Sequence, residues 1–258
     1  MELNDKVAVI TGGTGGIGQA MARAFLAQGA RTVVISDIDA DLTASVAAEI
    51  GCHGVACDVT DESQVASLVE GVIAEHGPID LFCSNAGAIR NGELADADND
   101  LWQWQWELHV MSHLYAARAV LPSMIARGEG YLLNTASAAG LLAAIGSGPY
   151  TVSKAAAIKL AEFIAITHGD EGIKVSVLCP QGVNTAMAPQ SLGDGATDGI
   201  IEADELAGVV VEALRDERFH VLPHPEVGDY IKRKADDPDR WLRGMRRLRA
   251  RTQDLGNS

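Results

Sequence analysis

The fold of this chain is decided by residues 6–29, KVAVITGGTGGIGQAMARAFLAQG. Residues 6–11 are a short run rich in β-branched side chains, which is typical of a buried strand, and the run stops at Gly12. An alanine-rich helical pattern then covers residues 17–28 until Gly29 ends it. The stretch therefore predicts a strand, a glycine turn and a helix in that order.

The turn contains glycines at a spacing that suits a bound pyrophosphate, Thr11-Gly12-x-x-x-Gly16-x-Gly18. Glycine permits a tight turn and lets phosphate oxygens approach backbone N–H groups at the positively polarised start of a helix. No Lys-Ser or Lys-Thr follows the last glycine, so the turn is not a P-loop. A dinucleotide site is predicted, and the alternative is a glycine-rich turn without a ligand.

The alternation of strands and helices continues along the chain. Strands are predicted at residues 31–36, 53–57, 79–84, 131–135 and 173–179, and helices at 60–76, at 99–127 and from Pro149 onward. Strands that alternate with long helices imply parallel pairing through right-handed crossovers. The predicted fold class is α/β, a single-domain doubly wound Rossmann fold whose mostly parallel sheet is flanked by helices. We expect this domain at residues 1–225 and a basic helical C-terminal extension at residues 226–258.

The composition excludes several classes of partner. The chain has 258 residues and a formal net charge of −15, which argues against nucleic acid or an anionic membrane as the main partner. Its four cysteines form no Cys-x-x-Cys pair, so neither a disulfide framework nor a zinc knuckle is expected. No signal peptide or transmembrane segment is recognisable, and we expect a cytoplasmic protein.

Asp37 at the end of the second predicted strand distinguishes between two dinucleotides. A carboxylate at this position accepts hydrogen bonds from the ribose hydroxyls of NAD and repels the 2′-phosphate of NADP. The glycine turn also contains no Arg or Lys that would bind that phosphate. NAD is therefore the predicted cofactor.

Residues 134–154, NTASAAGLLAAIGSGPYTVSK, contain three side chains suited to proton transfer. In a helix that begins near Pro149, Tyr150 and Lys154 lie on one face at positions i and i+4. An ammonium there favours the phenolate and lowers the pKa of the tyrosine from about 10. Ser137 follows a predicted strand, at the sheet edge where α/β folds bind ligands. The alternative interpretation is a helix-face pair and an ordinary turn serine.

In combination, these motifs resemble the short-chain dehydrogenase/reductase family over residues 5 to about 215. The resemblance implies hydride transfer between a secondary alcohol carbon and the nicotinamide ring. Tyr150 would take or give the hydroxyl proton, Ser137 would bond to the reacting oxygen, and Lys154 would lower the tyrosine pKa and bond to the nicotinamide ribose. The cofactor-binding residues that it implies, with their flanking neighbours, are Thr11, Gly12, Gly16, Ile17, Gly18, Asp37, Asp58, Val59, Asn85, Ala86, Gly87, Tyr150, Lys154, Pro180 and Thr185.

Two positions depart from the family pattern. His109 stands where the family has an active-site asparagine, and Gln181 follows Pro180 where a glycine is usual. His109 either substitutes as a packing and hydrogen-bonding group, or joins the acid–base chemistry, or lowers the rate. The last case leaves a protein that binds NAD without efficient turnover as one alternative function, and an NADPH-dependent carbonyl reductase is the other.

His109 and His113 have the spacing of metal ligands but lack a third ligand, so no metal site is predicted.

The remaining features concern the substrate and assembly. Residues 187–199 are rich in glycine and small side chains and are predicted to form a lid over an apolar alcohol or ketone. The three tryptophans at 102, 104 and 106 are interpreted as core or interface residues, with substrate stacking as the alternative. By the family resemblance we expect a homo-oligomer, either a tetramer or a dimer. We interpret the basic tail as a solvent-exposed helix face, with binding to an acidic surface of the same or a neighbouring subunit as the alternative.

Overall fold

A seven-stranded sheet forms the centre of the protein, and each of its pairings between described strands is parallel. The computed structural model describes residues 1–186 and 197–256, the last five of these as backbone only. In spatial order the strands are β3 (His53–Ala56), β2 (Thr32–Asp37), β1 (Val7–Thr11), β4 (Leu81–Ser84), β5 (Gly130–Thr135), β6 (Ile173–Leu178) and β9 (His220–Val221). A separate parallel pair joins β7 (Gly182–Asn184) to β8 (Ile200–Glu202).

Helices cover both faces of the sheet, as the doubly wound prediction requires. One face packs against α1 (Gly16–Ala27), α2 (Ala40–Ile50) and α8 (Ala203–Arg215). The other packs against α3 (Glu62–His76), α5 (Ser112–Arg127) and α7 (Gly148–His168). The strand runs are buried almost throughout except in β3, which is exposed because it forms an edge of the sheet. The predicted fold class is confirmed.

The order of the strands locates the ligand crevice. β1 lies between β2 and β4, so the connections leave β1 in opposite directions along the sheet. At such a switch point the loops after neighbouring strands separate, and α/β sheets bind ligands in the gap. The glycine turn, Asp37 and Asn85 all follow strands at this edge.

Two predicted helices differ in detail from the structure. The helix at 60–76 begins at Glu62, and Asp61 caps it by accepting the N–H groups of Ser63 and Gln64. The pattern at 99–127 forms α4 (Asn99–Trp106) and α5, joined by a π-helical turn at Glu107–Met111. A π turn of this kind is a frequent feature of functional sites, and this one carries His109.

Two C-terminal helices lie beside a short helix from the middle of the chain, over the carboxyl edge of the sheet. The short helix α6 (Ala138–Leu142) follows β5, and α9 (Glu226–Asp236) packs on it through an apolar cluster that includes Val227 and Leu142. The long helix α10 (Pro238–Gly256) follows α9. Most of the predicted lid at 187–199 lies outside the described residues. None of the described helices combines the length and apolar character that crossing a bilayer would need.

Candidate active site

One cavity of about 2130 Å³ runs along the carboxyl ends of the central strands. It brings together Ser137, Tyr150 and Lys154 with all but one of the predicted cofactor-binding residues. The predicted residues that line it in addition are Gly12, Gly16, Ile17, Gly18, Asp37, Asp58, Val59, Asn85, Ala86, Gly87, Pro180 and Thr185.

The glycine turn packs so tightly that side chains at two of its positions would collide with neighbouring backbone. A Cβ atom at Gly12 would lie 2.7 Å from the Cα of Ala86, and one at Gly18 would lie 2.4 Å from the carbonyl oxygen of Gly12. Gly12 also has a φ of +64°, which favours glycine. Helix α1 begins at Gly16 without a side-chain cap, so its first N–H groups can bind an anion.

Asp37 is held in place at the cofactor end of the cavity. Its Oδ2 accepts hydrogen bonds from the N–H of Thr14 at 3.1 Å and from the hydroxyl of Thr14 at 2.5 Å. Its Oδ1 accepts the N–H of Ile38 at 2.9 Å. The carboxylate is thereby fixed next to the glycine turn, in the position from which a ribose diol can be bound.

Thr11 is the predicted cofactor residue that the structure places elsewhere. It is buried beneath the turn and does not line the cavity. Its hydroxyl donates to the carbonyl of Cys83 at 3.3 Å and accepts the N–H of Asn85 at 3.0 Å. The Asn85 side chain in turn donates to the carbonyls of Thr11 and Gly12. Thr11 therefore supports the turn through β4, and its direct contact with the cofactor stays a prediction.

Ser137, Tyr150 and Lys154 meet where β5, α6 and α7 converge. Ser137 caps α6, and its Oγ accepts the N–H of Ala139 at 3.1 Å. Lys154 is 3% exposed, and its Nζ donates to the carbonyl of Thr135 at 2.9 Å. The same Nζ lies 5.8 Å from the centroid of the Tyr150 ring. The i, i+4 placement on one helix face is confirmed.

Burial is the largest cause of the pKa shifts of Tyr150 and Lys154. It raises the pKa of Tyr150, and a hydrogen bond with Ser137 opposes that rise. Burial also lowers the pKa of Lys154 to about 7. That Lys154 lowers the tyrosine pKa stays a prediction: in this structure the ammonium bonds to the Thr135 carbonyl, and the contribution that lowers the pKa of Tyr150 comes from Ser137.

His109 lies behind Tyr150 rather than in the cavity. It is fully buried, and its ring meets the Tyr150 ring edge to face with centroids 5.4 Å apart. Nε2 accepts the N–H of Ala88 at 3.3 Å, and Nδ1 lies 3.0 Å from the Ser153 hydroxyl. Burial, and then the charge of Lys154, lower the pKa of His109 far below its ordinary value. Of the three alternatives for His109, the geometry favours a neutral packing and hydrogen-bonding group that positions Tyr150.

His113 lies one turn further along α5 and is equally enclosed. Neither ring nitrogen has a hydrogen-bond partner among the described residues, and burial lowers its pKa to about 3. No third ligand joins His109 and His113 within the described ranges. Three other residues in the described ranges lie close enough together to be metal ligands, namely His53, Glu75 and His76 on the surface at the β3 edge.

The second departure from the family pattern is tied to the C-terminal region. The N–H of Gln181 donates to Nδ1 of His224 at 3.3 Å, and His224 is buried. Nearby, a Cβ atom at Gly16 would lie 2.7 Å from the methyl group of Thr185, so Thr185 closes against the start of α1. Gln181 therefore links the nicotinamide side of the cavity to the residues that precede α9.

Some cavity residues differ from the main sequence prediction. Trp104 lines the cavity, with the guanidinium of Arg90 4.0 Å above its ring, a position that suits the substrate-stacking alternative rather than burial in the core or an interface. Trp241 and Met245 of α10 also line it. The alternation of tryptophans in α4 was the available signal for Trp104, whereas the α10 contacts depend on tertiary packing.

Comparisons with known proteins agree with this site. A family model described as short chain dehydrogenase matches residues 6–194. The 1-deoxy-11-beta-hydroxypentalenate dehydrogenase of Streptomyces exfoliatus is 32% identical over 255 residues, which cover 92% of this chain and 90% of that protein. The 3beta-hydroxysteroid dehydrogenase 2 of Eggerthella lenta is 32% identical over 190 residues, covering 71% of this chain and 73% of the relative.

A solved structure shares the whole architecture. It is a short chain dehydrogenase/reductase from Burkholderia phymatum in complex with NAD, with a TM-score of 0.85 and 27% sequence identity. The similarity covers 93% of this chain and 96% of the other. The Streptomyces relative and this solved structure thus each match more than 90% of the chain.

Proposed function

Because this chain belongs to the short-chain dehydrogenase family, we propose that it is an NAD-dependent oxidoreductase that interconverts a secondary alcohol and a ketone on an apolar small molecule. One observation carries the proposal. Tyr150, Ser137 and Lys154 line the same cavity as the glycine turn and Asp37. A proton-transfer group and a dinucleotide cradle therefore open onto one space, as hydride transfer with acid–base catalysis requires.

Each polar side chain has a separate task in the proposed mechanism. When bound, NAD supplies the hydride acceptor, and in its reduced form the hydride donor. Tyr150 takes the substrate hydroxyl proton during oxidation and returns it during reduction. Ser137 hydrogen-bonds to the reacting oxygen and orients it towards the phenol. Lys154 bonds to the nicotinamide ribose and, through its charge, favours the phenolate.

The electrostatics favour one protonation state of the tyrosine. Since burial raises its pKa, Tyr150 rests as a neutral phenol that is ready to donate a proton. Ketone reduction uses this form directly, whereas alcohol oxidation needs the phenolate. We therefore propose that oxidation accelerates as the pH rises from neutrality and that reduction does not.

Asp37 supports NAD over NADP. Its fixed carboxylate would face the 2′-phosphate of NADP at close range, and like charges in a partly enclosed cavity repel. The structural relative from Burkholderia phymatum was crystallised with NAD. An NADPH-dependent reductase would need a cation in this place.

Two considerations support an apolar substrate. Leu142, Ile145 and Trp104 line the cavity beyond Tyr150. The two relatives above are named as dehydrogenases of a hydroxylated pentalenate and of a hydroxysteroid. A cytoplasmic location and a dimer or tetramer remain predictions made from the sequence.

The test is a screen of the purified protein with NAD and, separately, with NADP. The panel contains steroid, terpene and aromatic secondary alcohols, and the absorbance of the reduced nicotinamide is followed. We expect NAD-dependent turnover of at least one alcohol that is lost in Tyr150→Phe and kept in Tyr115→Phe, a matched change on α5 outside the cavity. Turnover with NADP alone would support the reductase alternative, and NAD binding without any turnover would support a binding protein.

A further inference from the structure

One face of α10 forms an outer wall of the active-site cavity. The α10 residues that line it fall on a single helical face, namely Arg240, Trp241, Gly244, Met245, Arg247, Leu248 and Arg251. Trp241 and Met245 present apolar surface beside the loop that follows α6. Arg240, Arg247 and Arg251 place three guanidinium groups on the same wall, and the first two of them flank Gly244.

These two arginines have no carboxylate partner among the described residues. No ion pair or side-chain hydrogen bond joins Arg240 or Arg247 to any group in the described part of the chain. The guanidinium of Arg247 lies back over Gly244, where an added Cβ would be 3.9 Å from its Nη2. Gly244 lies between the two arginines on this helical face, and it has no side chain that would cover the guanidinium of Arg247.

The carboxylates nearby are already engaged or lie on other elements. Oδ1 of Asp237 accepts the N–H of Arg240 and so begins α10. Glu107 accepts a hydrogen bond from Gln103 on α4. Asp236 and Asp100 also line the cavity. All four acids line the same cavity from elements outside α10, so we expect an anion to bind at the α10 arginines rather than elsewhere on the wall.

α10 is held across the cavity at several points. Arg249 pairs with Glu93 at 2.9 Å, which ties the helix to the segment after β4. The ring of Trp241 packs on that of Tyr230 in α9, with centroids 6.2 Å apart. Helix α9 is itself held against α6, because Lys234 donates a hydrogen bond to the carbonyl of Leu141. The arginines therefore lie on a fixed wall rather than on a free tail.

From these observations we propose that the substrate is an apolar carboxylic acid, whose carboxylate binds to Arg240 and Arg247 while its hydroxyl-bearing carbon reaches Tyr150. The proposal rests on the proposed function, since it assigns a substrate class to that same site. The apolar side chains between the two ends, Leu142, Trp241 and Met245, accommodate a hydrocarbon body. Arginine suits this task because its guanidinium binds a carboxylate in a bidentate manner.

The test measures binding and so does not depend on turnover. The affinities of 2-naphthylacetate, 4-biphenylacetate and lithocholate are measured by calorimetry, each against its own primary amide, with and without NADH. The variants are Arg240→Gln/Arg247→Gln and, as a control with the same charge change, Arg243→Gln/Arg246→Gln. The control arginines lie outside the residues that line this cavity.

We expect the wild type to bind at least one carboxylate about tenfold more tightly than its amide, since exposed arginines contribute less than buried ones. The preference is lost in Arg240→Gln/Arg247→Gln and kept in the control. The proposal is overturned if no acid binds better than its amide, or if both double variants lose the preference equally. NADH affinity is titrated for the same proteins, and a loss of NADH binding in Arg240→Gln/Arg247→Gln alone would assign the arginines to the cofactor phosphates instead. Failure of the proposed function would appear separately, as absent turnover in the Tyr150 assay.

Discussion

Nδ1 of His109 lies 3.0 Å from the hydroxyl oxygen of Ser153, one residue before Lys154 on α7. The Ser153 hydroxyl donates its only proton to the carbonyl of Tyr150 at 3.0 Å, so it must accept from the imidazole. Nδ1 of His109 therefore carries the proton, and Nε2 is free to accept the N–H of Ala88. A neutral histidine in one tautomer thus connects the π-helical turn to the backbone of Tyr150.

The first prediction concerns the replacement of His109. His109→Leu leaves the Ala88 N–H and the Ser153 hydroxyl without their partner, and should destabilise the protein by about 1–3 kcal/mol and lower kcat. His109→Asn keeps a donor and an acceptor and should retain most of the activity. Urea unfolding and steady-state kinetics provide the measurements. A larger loss of kcat in the Asn variant than in the Leu variant would contradict the positioning role.

The second prediction concerns stability at low pH. The pKa of His113 is lowered to about 3, whereas in the unfolded chain it is about 6.5. Between these values the unfolded state binds a proton that the folded state does not, so stability falls as the pH decreases below about 6.5, by up to ~1.4 kcal/mol per pH unit for this group.

His113→Leu should therefore flatten the decline in unfolding free energy between pH 7 and pH 5. Because both ring nitrogens lack partners among the described residues, the variant should also be no less stable at pH 7. The exposed His53→Gln substitution is the control. An unchanged pH slope in His113→Leu would show that this histidine is protonated in the folded protein.

The third prediction concerns cofactor choice. Asp37→Ser removes the carboxylate that the cavity presents to the ribose, and should lower kcat/KM with NAD about tenfold while raising it with NADP. Adding Ile38→Arg, at an exposed position that also lines the cavity, should extend the shift towards NADP. Asp41→Ser in the first turn of α2 is the matched control. An unchanged ratio of the two kcat/KM values would remove Asp37 from cofactor recognition.

The fourth prediction separates function from stability at Lys154. Its buried ammonium has a pKa lowered to about 7 from an ordinary 10.5, so the folded state loses stability as the pH falls from 10.5 to 7. Lys154→Met removes this destabilisation. It also removes the hydrogen bond to the Thr135 carbonyl, which contributes about 1 kcal/mol to stability. The variant should be more stable at pH 7 by about 3 kcal/mol, should lose this gain as the pH rises towards 10.5, and should lose at least about 10²-fold in kcat. Thermal unfolding across pH checks the first part. A destabilised variant at pH 7 would show that the ammonium is well solvated or paired.

Much of the fold could be predicted because local patterns and tertiary structure agree. The β-branched run before Gly12 and the alanine-rich run after Gly18 each favour one structure, and the sheet buries both as predicted. The placement of Tyr150 and Lys154 follows from helix geometry alone. No prediction covered α2, α6, α8 or the strands β7, β8 and β9. Helix α6 has five residues and these strands two or three, so their patterns are short, whereas the apolar patterns of α2 and α8 were available.

The rest depended on packing. The π-helical turn at residues 107–111 has no sequence signature, yet it determines that His109 faces Ser153 rather than the substrate. The pKa of Tyr150 could not be inferred from the spacing to Lys154, because desolvation depends on what surrounds both groups. The basic character of α10 was visible, but not that two of its arginines line the catalytic cavity.

The central claim is that Tyr150 exchanges the substrate proton during hydride transfer. The most direct test is the initial rate of NADH formation from the best secondary alcohol between pH 6 and pH 10, for the wild type and for Tyr150→Phe. We predict that kcat/KM for oxidation rises with pH in the wild type, since the raised tyrosine pKa makes the phenolate scarce at neutrality. Tyr150→Phe should keep NAD binding and lose at least about 10²-fold in rate at every pH. A variant that retains the wild-type rate and pH profile would contradict the claim.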